Sequence, residues 1–299
     1  MDKDIKFVPL DKQPVERKEF RLDTFDLHKG LHDIDHAPYI VLIAPRHSGK
    51  SVAISSIVEV LDKKWKYSNC FCFSQTAKMT NAFPFMKQEN IFNSLDPLDQ
   101  IIEIRKRSYE EGKNKKDHIL IILDDVSNLS SKSKKTGKQK NVRYSESLDF
   151  ASTTGRHYNL HFLLALQSRS QASKTQRQNA SMTFLWIPKS MTDRKMITDE
   201  YLGLLRDKTE KEETFQELYS VPYQALVVAG YKNGCTCLSD YCSKVVFPYP
   251  VPKFKMKHMK KRRSKRKSEF QKEIEQNNER MMEMMEKKNQ MRIFNINLF

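Results

Sequence analysis

Pro38-Tyr39-Ile40-Val41-Leu42-Ile43-Ala44-Pro45-Arg46-His47-Ser48-Gly49-Lys50-Ser51 reads as a buried strand, a tight loop and the first turn of a helix. Residues 39–43 are apolar and rich in β-branched side chains, which suits a central parallel strand covered on both faces. Ala44 to Ser51 keeps the spacing G-x-x-x-x-G-K-[ST], with alanine at the first glycine position. In such a loop glycine lets the backbone approach a phosphate, while successive N–H groups and the helix N-terminus form a concave positive cradle. Pro45, Arg46, His47, Ser48, Gly49, Lys50 and Ser51 are the candidate cradle. Lys50 would reach the β- and γ-phosphates of ATP, and the Ser51 hydroxyl would ligate Mg²⁺. The plainer reading is a serine-glycine turn beside a chance lysine, and Ala44 weakens the motif because alanine resists angles that glycine tolerates. The context outweighs this: a strand precedes the loop and amphipathic spacing over 52–61 predicts a helix after it.

A second stretch agrees with the first. His118-Ile119-Leu120-Ile121-Ile122-Leu123-Asp124-Asp125 is a continuous apolar strand that delivers two carboxylates at its end. Asp124 can hold Mg²⁺ and Asp125 can orient or deprotonate an attacking water. An Asp-rich turn at a strand end is common, so it is the order of the two signals that carries the assignment. A third strand, 160–166, ends on Gln167, where an amide beside the phosphate site could sense the γ-phosphate. Arg156, just before that strand, is a candidate for the cation that stabilises transition-state charge, in cis or from a neighbouring subunit. Arg46, inside the loop, is a second.

Around these stretches the sequence predicts an α/β core over 38–250 with a mostly parallel sheet. A polar lead-in over 1–37 is extended, with an edge strand near 20–22. Further strands fall at 69–73, 183–187 and 225–229, the last pairing through Asn233-Gly234 with 235–238. Helices fall at 99–111, 145–154, 192–206 and 208–219. Residues 81–98 read as loop and short helix, and 126–144, rich in Ser and Lys, as a basic surface loop. A basic and helical or disordered tail occupies 251–299.

Charge points to the partner. The chain of 299 residues carries 53 Lys and Arg against 37 Asp and Glu, a net charge of +16. Ten basic residues and no acidic one lie between Lys253 and Lys267, and residues 1–252 still hold about +7. A polyanion, nucleic acid before membrane surface, is the expected partner. The basic run could equally serve as a nuclear localisation signal. Five cysteines suggest no disulfide framework. Cys70 and Cys72 belong to a core strand, and Cys235, Cys237 and Cys242 match no standard zinc spacing. No leader and no apolar run of roughly 18–20 residues is visible, which predicts no membrane span and a reducing compartment.

Taken together, Phe25-Asp26-Leu27, Ala44 to Ser51, Leu123-Asp124-Asp125 and Gly155-Arg156-His157-Tyr158-Asn159 leading to Gln167 resemble the FtsK–HerA-type DNA-packaging ATPases of large double-stranded-DNA viruses, the poxvirus-type packaging ATPases among them. The resemblance covers about residues 20–230. It implies a RecA-like P-loop ATPase core with strand order 5-1-4-3-2, subunits in a homo-oligomeric ring, and ATP hydrolysis that drives double-stranded DNA into a preformed capsid at a capsid or portal-like vertex. It implies further that Lys50 and Ser51 bind phosphate and Mg²⁺, that Asp124 holds the metal, that Asp125 acts on water and that Gln167 is the sensor. The place of action would be the infected host cell at the site of virion assembly, in cytoplasm or nucleus, with association to the virion. Two other readings stand beside it: a cellular or plasmid-type translocase or helicase of the same group, and a non-hydrolysing nucleotide-binding assembly protein. The Asp124-Asp125 pair argues against the last, since a pure binder has little need of the second carboxylate.

Overall fold

The fold follows from which strands are apolar on both faces. The computed structural model describes residues 22–126, 129–132, 139–203, 208–232, 235, 238–249 and 253–256. In chain order these form α1 (Leu27–His32), β1 (Tyr39–Ile43), α2 (Lys50–Trp65), β2 (Asn69–Phe73), α3 (Ala77–Thr80), β3 (Ile91–Phe92), α4 (Asp96–Glu110), β4 (Ile119–Asp124), β5 (Ser130–Lys132) and β6 (Gln139–Asn141). Then come α5 (Glu146–Thr153), β7 (Leu160–Leu166), α6 (Lys174–Gln178), β8 (Met182–Leu185), α7 (Met191–Tyr201), α8 (Lys208–Tyr219), β9 (Gln224–Val228) and β10 (Cys242–Val246).

Eight strands make one sheet in the order β10-β9-β8-β1-β7-β4-β2-β3. From β8 to β3 every pairing is parallel, whereas β9 is antiparallel to both β8 and β10. The eight-strand order thus differs from the five-strand order expected. Its middle, β8-β1-β7-β4-β2, keeps the 5-1-4-3-2 sequence when those five alone are numbered. Three edge strands are added: the two-residue β3 on one side, β9 and β10 on the other.

Strand parity divides the core in two. Val41, Ile121, Leu123, Phe162 and Leu164 face one layer, where Ile101 of α4, Leu148 of α5, Ile197 of α7 and Phe215 of α8 cover them. Ile40, Leu42, Leu120, Ile122 and Leu163 face the other, under Ile54, Ile57 and Leu61 of α2 and Leu31 of α1. Both faces are dry, which is why these strands read as unbroken apolar runs. Cys70 and Cys72 lie buried in β2 as ordinary core residues.

Several sequence expectations are corrected. The lead-in is not wholly extended: Asp26 caps α1 by accepting from Lys29 N at 3.0 Å, and Phe25 packs edge-on against Phe184. An edge pairing falls at Thr24, bridged to Lys244; of the expected 20–22, residues 20 and 21 lie outside the described residues. β9 pairs antiparallel with β8 and β10; of the expected partner 235–238, residues 236 and 237 lie outside the described residues and Leu238 opens a 3-10 turn. The helix predicted over 192–206 is α7 and stops at Tyr201. Within the serine-lysine stretch, β5 and β6 pair as a two-stranded ribbon, and 133–138 lies outside the described residues. The tail is described only over 253–256, where Phe254 stacks on Phe85 at 4.8 Å and Met256 is buried. Among the described residues no helix is long and apolar enough to cross a membrane.

Candidate nucleotide site

Parallel strands deliver their carboxyl ends to one edge of the sheet, and four of them converge here. β1 runs into the phosphate loop. Ala44 still belongs to the sheet, since its N–H donates to Leu166 O at 2.8 Å, and the residue is fully buried. It is not among the residues with positive φ, so the missing glycine costs nothing at this position. The conformational demand falls later: His47 has φ 61° and Gly49 φ 90°. Gly49 is the N-cap of α2 and offers no side chain there, leaving the first-turn N–H groups open to a ligand. Ser48 Oγ donates to Pro45 O at 2.8 Å and closes the loop on itself.

β4 supplies the carboxylates. Asp124 is 5% exposed, and its Oδ1 lies 3.2 Å from Lys50 Nζ, so the lysine reaches across the end of β7 to the next strand. Burial pushes the Asp124 carboxyl above the usual carboxylate range, while Lys50 pulls it back. Among the described residues Asp124 Oδ1 accepts no hydrogen bond despite being buried. The lysine neutralises it without saturating it. Asp125, half-buried, has φ 51°. That left-handed turn swings its carboxylate towards the end of β7, where the Gln167 side-chain amide donates to Asp125 Oδ1. Gln167 is itself held, its N–H donating to Gln171 Oε1 at 2.8 Å.

These groups border one cleft of about 350 Å³. Pro45, Arg46, His47, Gly49, Lys50 and Ser51 form one wall; Asp124, Asp125 and Gln167 form the other. Of the predicted cradle only Ser48, turned back on Pro45, is not on that surface. Thr76, just beyond the carboxyl end of β2, joins it. Mg²⁺ fits the donors present. Ser51 and Asp124 both line the cleft, and a hydroxyl and a carboxylate are hard oxygen ligands.

Arg156 is placed elsewhere. It is exposed, in the 3-10 turn Gly155–Tyr158 that precedes β7, at the opposite edge of the sheet from Gln167. Seven residues of strand separate the two edges, roughly 20 Å. The cis role is therefore excluded within this chain. Its turn is rigid: Arg105, 2% exposed, donates from Nε to Tyr158 O at 2.7 Å and from its two terminal nitrogens to Asn114 O and Asp117 O. Asn159 closes the turn at φ 53° and donates to Lys115 O. Tyr158 and Asn159 are structural, whereas Arg156 and His157 face outward. No group of three or more His, Cys, Asp or Glu side chains arranged to hold a metal occurs among the described residues, and Cys237 lies outside them.

No known protein family matches the chain when compared by family. An uncharacterized protein of Acanthamoeba polyphaga mimivirus is 25% identical over 199 residues, which is 62% of this chain and 63% of that protein. The chain thus spans about three-fifths of the length of the curated relative it matches. Among solved structures, the genome-packaging NTPase of Sulfolobus turreted icosahedral virus 2 in complex with AMPPCP has 15% identity and a TM-score of 0.48, with 70% of this chain and 96% of that chain covered. The pCW3 conjugation coupling protein TcpA with ATPγS has 14% identity and a TM-score of 0.47, with 82% and 71% covered. Likeness at this level carries no argument about chemistry.

Proposed function

We propose that the protein is a Mg²⁺-dependent ATPase that drives double-stranded DNA into a preformed viral capsid, acting as a homo-oligomeric ring. One observation carries the enzymatic part: the Gln167 amide is hydrogen-bonded to Asp125 beside the Lys50–Asp124 pair, on a single cleft at the phosphate loop. A nucleotide binder needs the cradle alone. A hydrolase needs a carboxylate for the attacking water as well, and a polar group that reports on the γ-phosphate.

In this reading Lys50 and the first-turn N–H groups of α2 hold the β- and γ-phosphates. Ser51 and Asp124 would hold Mg²⁺, which supplies charge neutralisation on the phosphate oxygens when bound. Arrival of the triphosphate draws Lys50 off Asp124 and frees that carboxylate for its ligand role. Asp125 orients the water and accepts its proton. Gln167 exchanges its bond to Asp125 for one to the γ-phosphate or the water, and that exchange is the signal passed through β7 to the opposite edge. There Arg156, exposed and far from the cleft, serves a neighbouring subunit. Duplex DNA as substrate is supported by the +16 net charge and by the resemblance carried by Arg156 to Asn159 and Gln167. A motor that grips phosphates without reading bases needs no more than that. Capsid or vertex protein as partner, and the infected cell as place of action, rest on the resemblance.

The test is ATP turnover by the purified chain with and without long duplex DNA, beside Asp125→Asn. Stimulation by duplex that disappears in Asp125→Asn supports a DNA-coupled motor. Turnover indifferent to DNA removes the motor; binding without turnover, with capsid present as well as absent, removes the enzyme.

A further inference from the structure

Tyr223 sits in a conformation that a bulky side chain rarely adopts, at a place where it touches the phosphate loop. Its φ is 63°, in the left-handed region, and it is 64% exposed. Positive φ in an aromatic residue is an outlier that persists only where its surroundings hold it. The surroundings do so. Trp186 Nε1 donates to Tyr223 O at 3.1 Å, and the Trp186 ring is stacked on Phe247 at 5.8 Å. Pro222 precedes the residue and β9 begins directly after it, so neither side of the turn is free to rotate. β9 runs antiparallel to β8, which places this turn at the same sheet edge as the phosphate loop.

The ring lies on Gly49. A methyl group built there would meet Tyr223 Cδ1 at 3.6 Å and Cβ at 3.8 Å. One side of the aromatic group therefore covers the loop glycine, and the exposure resides on the remainder. An exposed aromatic fixed in a left-handed turn beside the loop glycine has the properties of a stacking platform.

We infer that Tyr223 is the base platform of the nucleotide site: the adenine of ATP stacks on its exposed face. The inference rests on the phosphate-loop reading of Gly49 to Ser51. Once Lys50 has taken the β- and γ-phosphates, the nucleoside is the end of the ligand left to reach the rim. Stacking suits a purine better than a pyrimidine, so the platform also sets a preference for ATP over CTP.

The experiment is calorimetric titration of the full chain with MgATP, MgCTP and magnesium tripolyphosphate, for wild type, Tyr223→Phe, Tyr223→Ala and Tyr223→Gly. Loss of one base–aromatic stack weakens binding by about 5- to 150-fold. Tyr223→Ala and Tyr223→Gly are expected to lose that much for ATP and nothing for tripolyphosphate, and Tyr223→Phe to keep both. The preference for ATP over CTP should shrink in the same two variants. Tyr223→Gly relieves the positive φ, so its melting temperature stays at or above wild type, which separates lost stacking from lost fold. Equal losses for ATP and tripolyphosphate would make Tyr223 a prop for Gly49 and overturn the inference. Unchanged ATP binding in Tyr223→Gly would overturn it too. Wild type that binds neither probe defeats the phosphate-loop reading itself, and the platform falls with it.

Discussion

Lys50 Nζ stands 3.2 Å from Asp124 Oδ1, with the end of β7 between the strands that present them. Burial raises the Asp124 carboxyl, and Lys50 opposes that shift by favouring the charged form. Lys50→Ala removes that support along with the phosphate ligand. ATP turnover should vanish, and the variant should lose about 1–3 kcal/mol near neutral pH. The sign with pH follows from the raised carboxyl. A group that binds its proton more tightly in the folded chain than in the unfolded one stabilises the fold at low pH, and that contribution is lost as pH rises through the folded value. Lys50→Ala raises the carboxyl further, so its deficit against wild type should be smaller at about pH 4.5 than at about pH 7.5. Denaturant melts at the two pH values check this.

Asp125→Asn isolates chemistry from folding. Asparagine tolerates the left-handed region better than most residues, so φ 51° is kept. Turnover should fall by about 10²- to 10⁴-fold, while ATP affinity and melting temperature stay close to wild type. A variant that bound ATP poorly would assign Asp125 to the cradle instead.

Arg105→Ala should cost about 2–4 kcal/mol, because three backbone carbonyls lose a charged donor at once. Arg105→Lys cannot satisfy all three from one nitrogen and should recover less than half of that loss. Chemical denaturation measures both. The turn that carries Arg156 depends on this arginine, so DNA-stimulated turnover should drop together with stability.

Below about pH 6.5 the fold should weaken. His161 is fully buried, with Tyr67 Oη 3.0 Å from its Nδ1 and His118 Nδ1 2.8 Å from its Nε2. Burial first, then the neighbouring His118, holds it well below the usual histidine range, and His118 is lowered as well. An imidazole neutral when folded but protonated when unfolded gives stability that is full above about pH 6.5. That stability declines below this value by up to about 1.4 kcal/mol per pH unit for each such histidine. Melting temperature against pH should show the fall, with a shallower slope in His161→Gln.

Sequence pattern was most informative where elements are long and buried. β1 is apolar throughout, and β4 and β7 depart from this only at Asp124 and the buried His161, because both faces are covered; their carboxyl ends carry the loop, Asp124-Asp125 and Gln167. Short or mixed elements were silent. β3 is two residues long, α1 is six, and β10 reads Cys-Ser-Lys-Val-Val, a pattern of an edge strand that the nearby Asn233-Gly234 turn signal outcompeted. Arg156 carried its own correction: a residue before a strand and a residue after it lie at opposite edges. Tyr223 left no trace in the pattern, since nothing in Val221-Pro222-Tyr223 announces a positive φ or the approach of Gly49.

The stacking of Phe254 on Phe85, with Met256 buried beside it, fixes the point from which the basic run departs. Eight of the eleven residues from Lys257 to Lys267 are Lys or Arg. Fully drawn out, that length spans at most about 40 Å. A backbone phosphate bound by this run would lie within that distance of Met256, on the layer covered by α2.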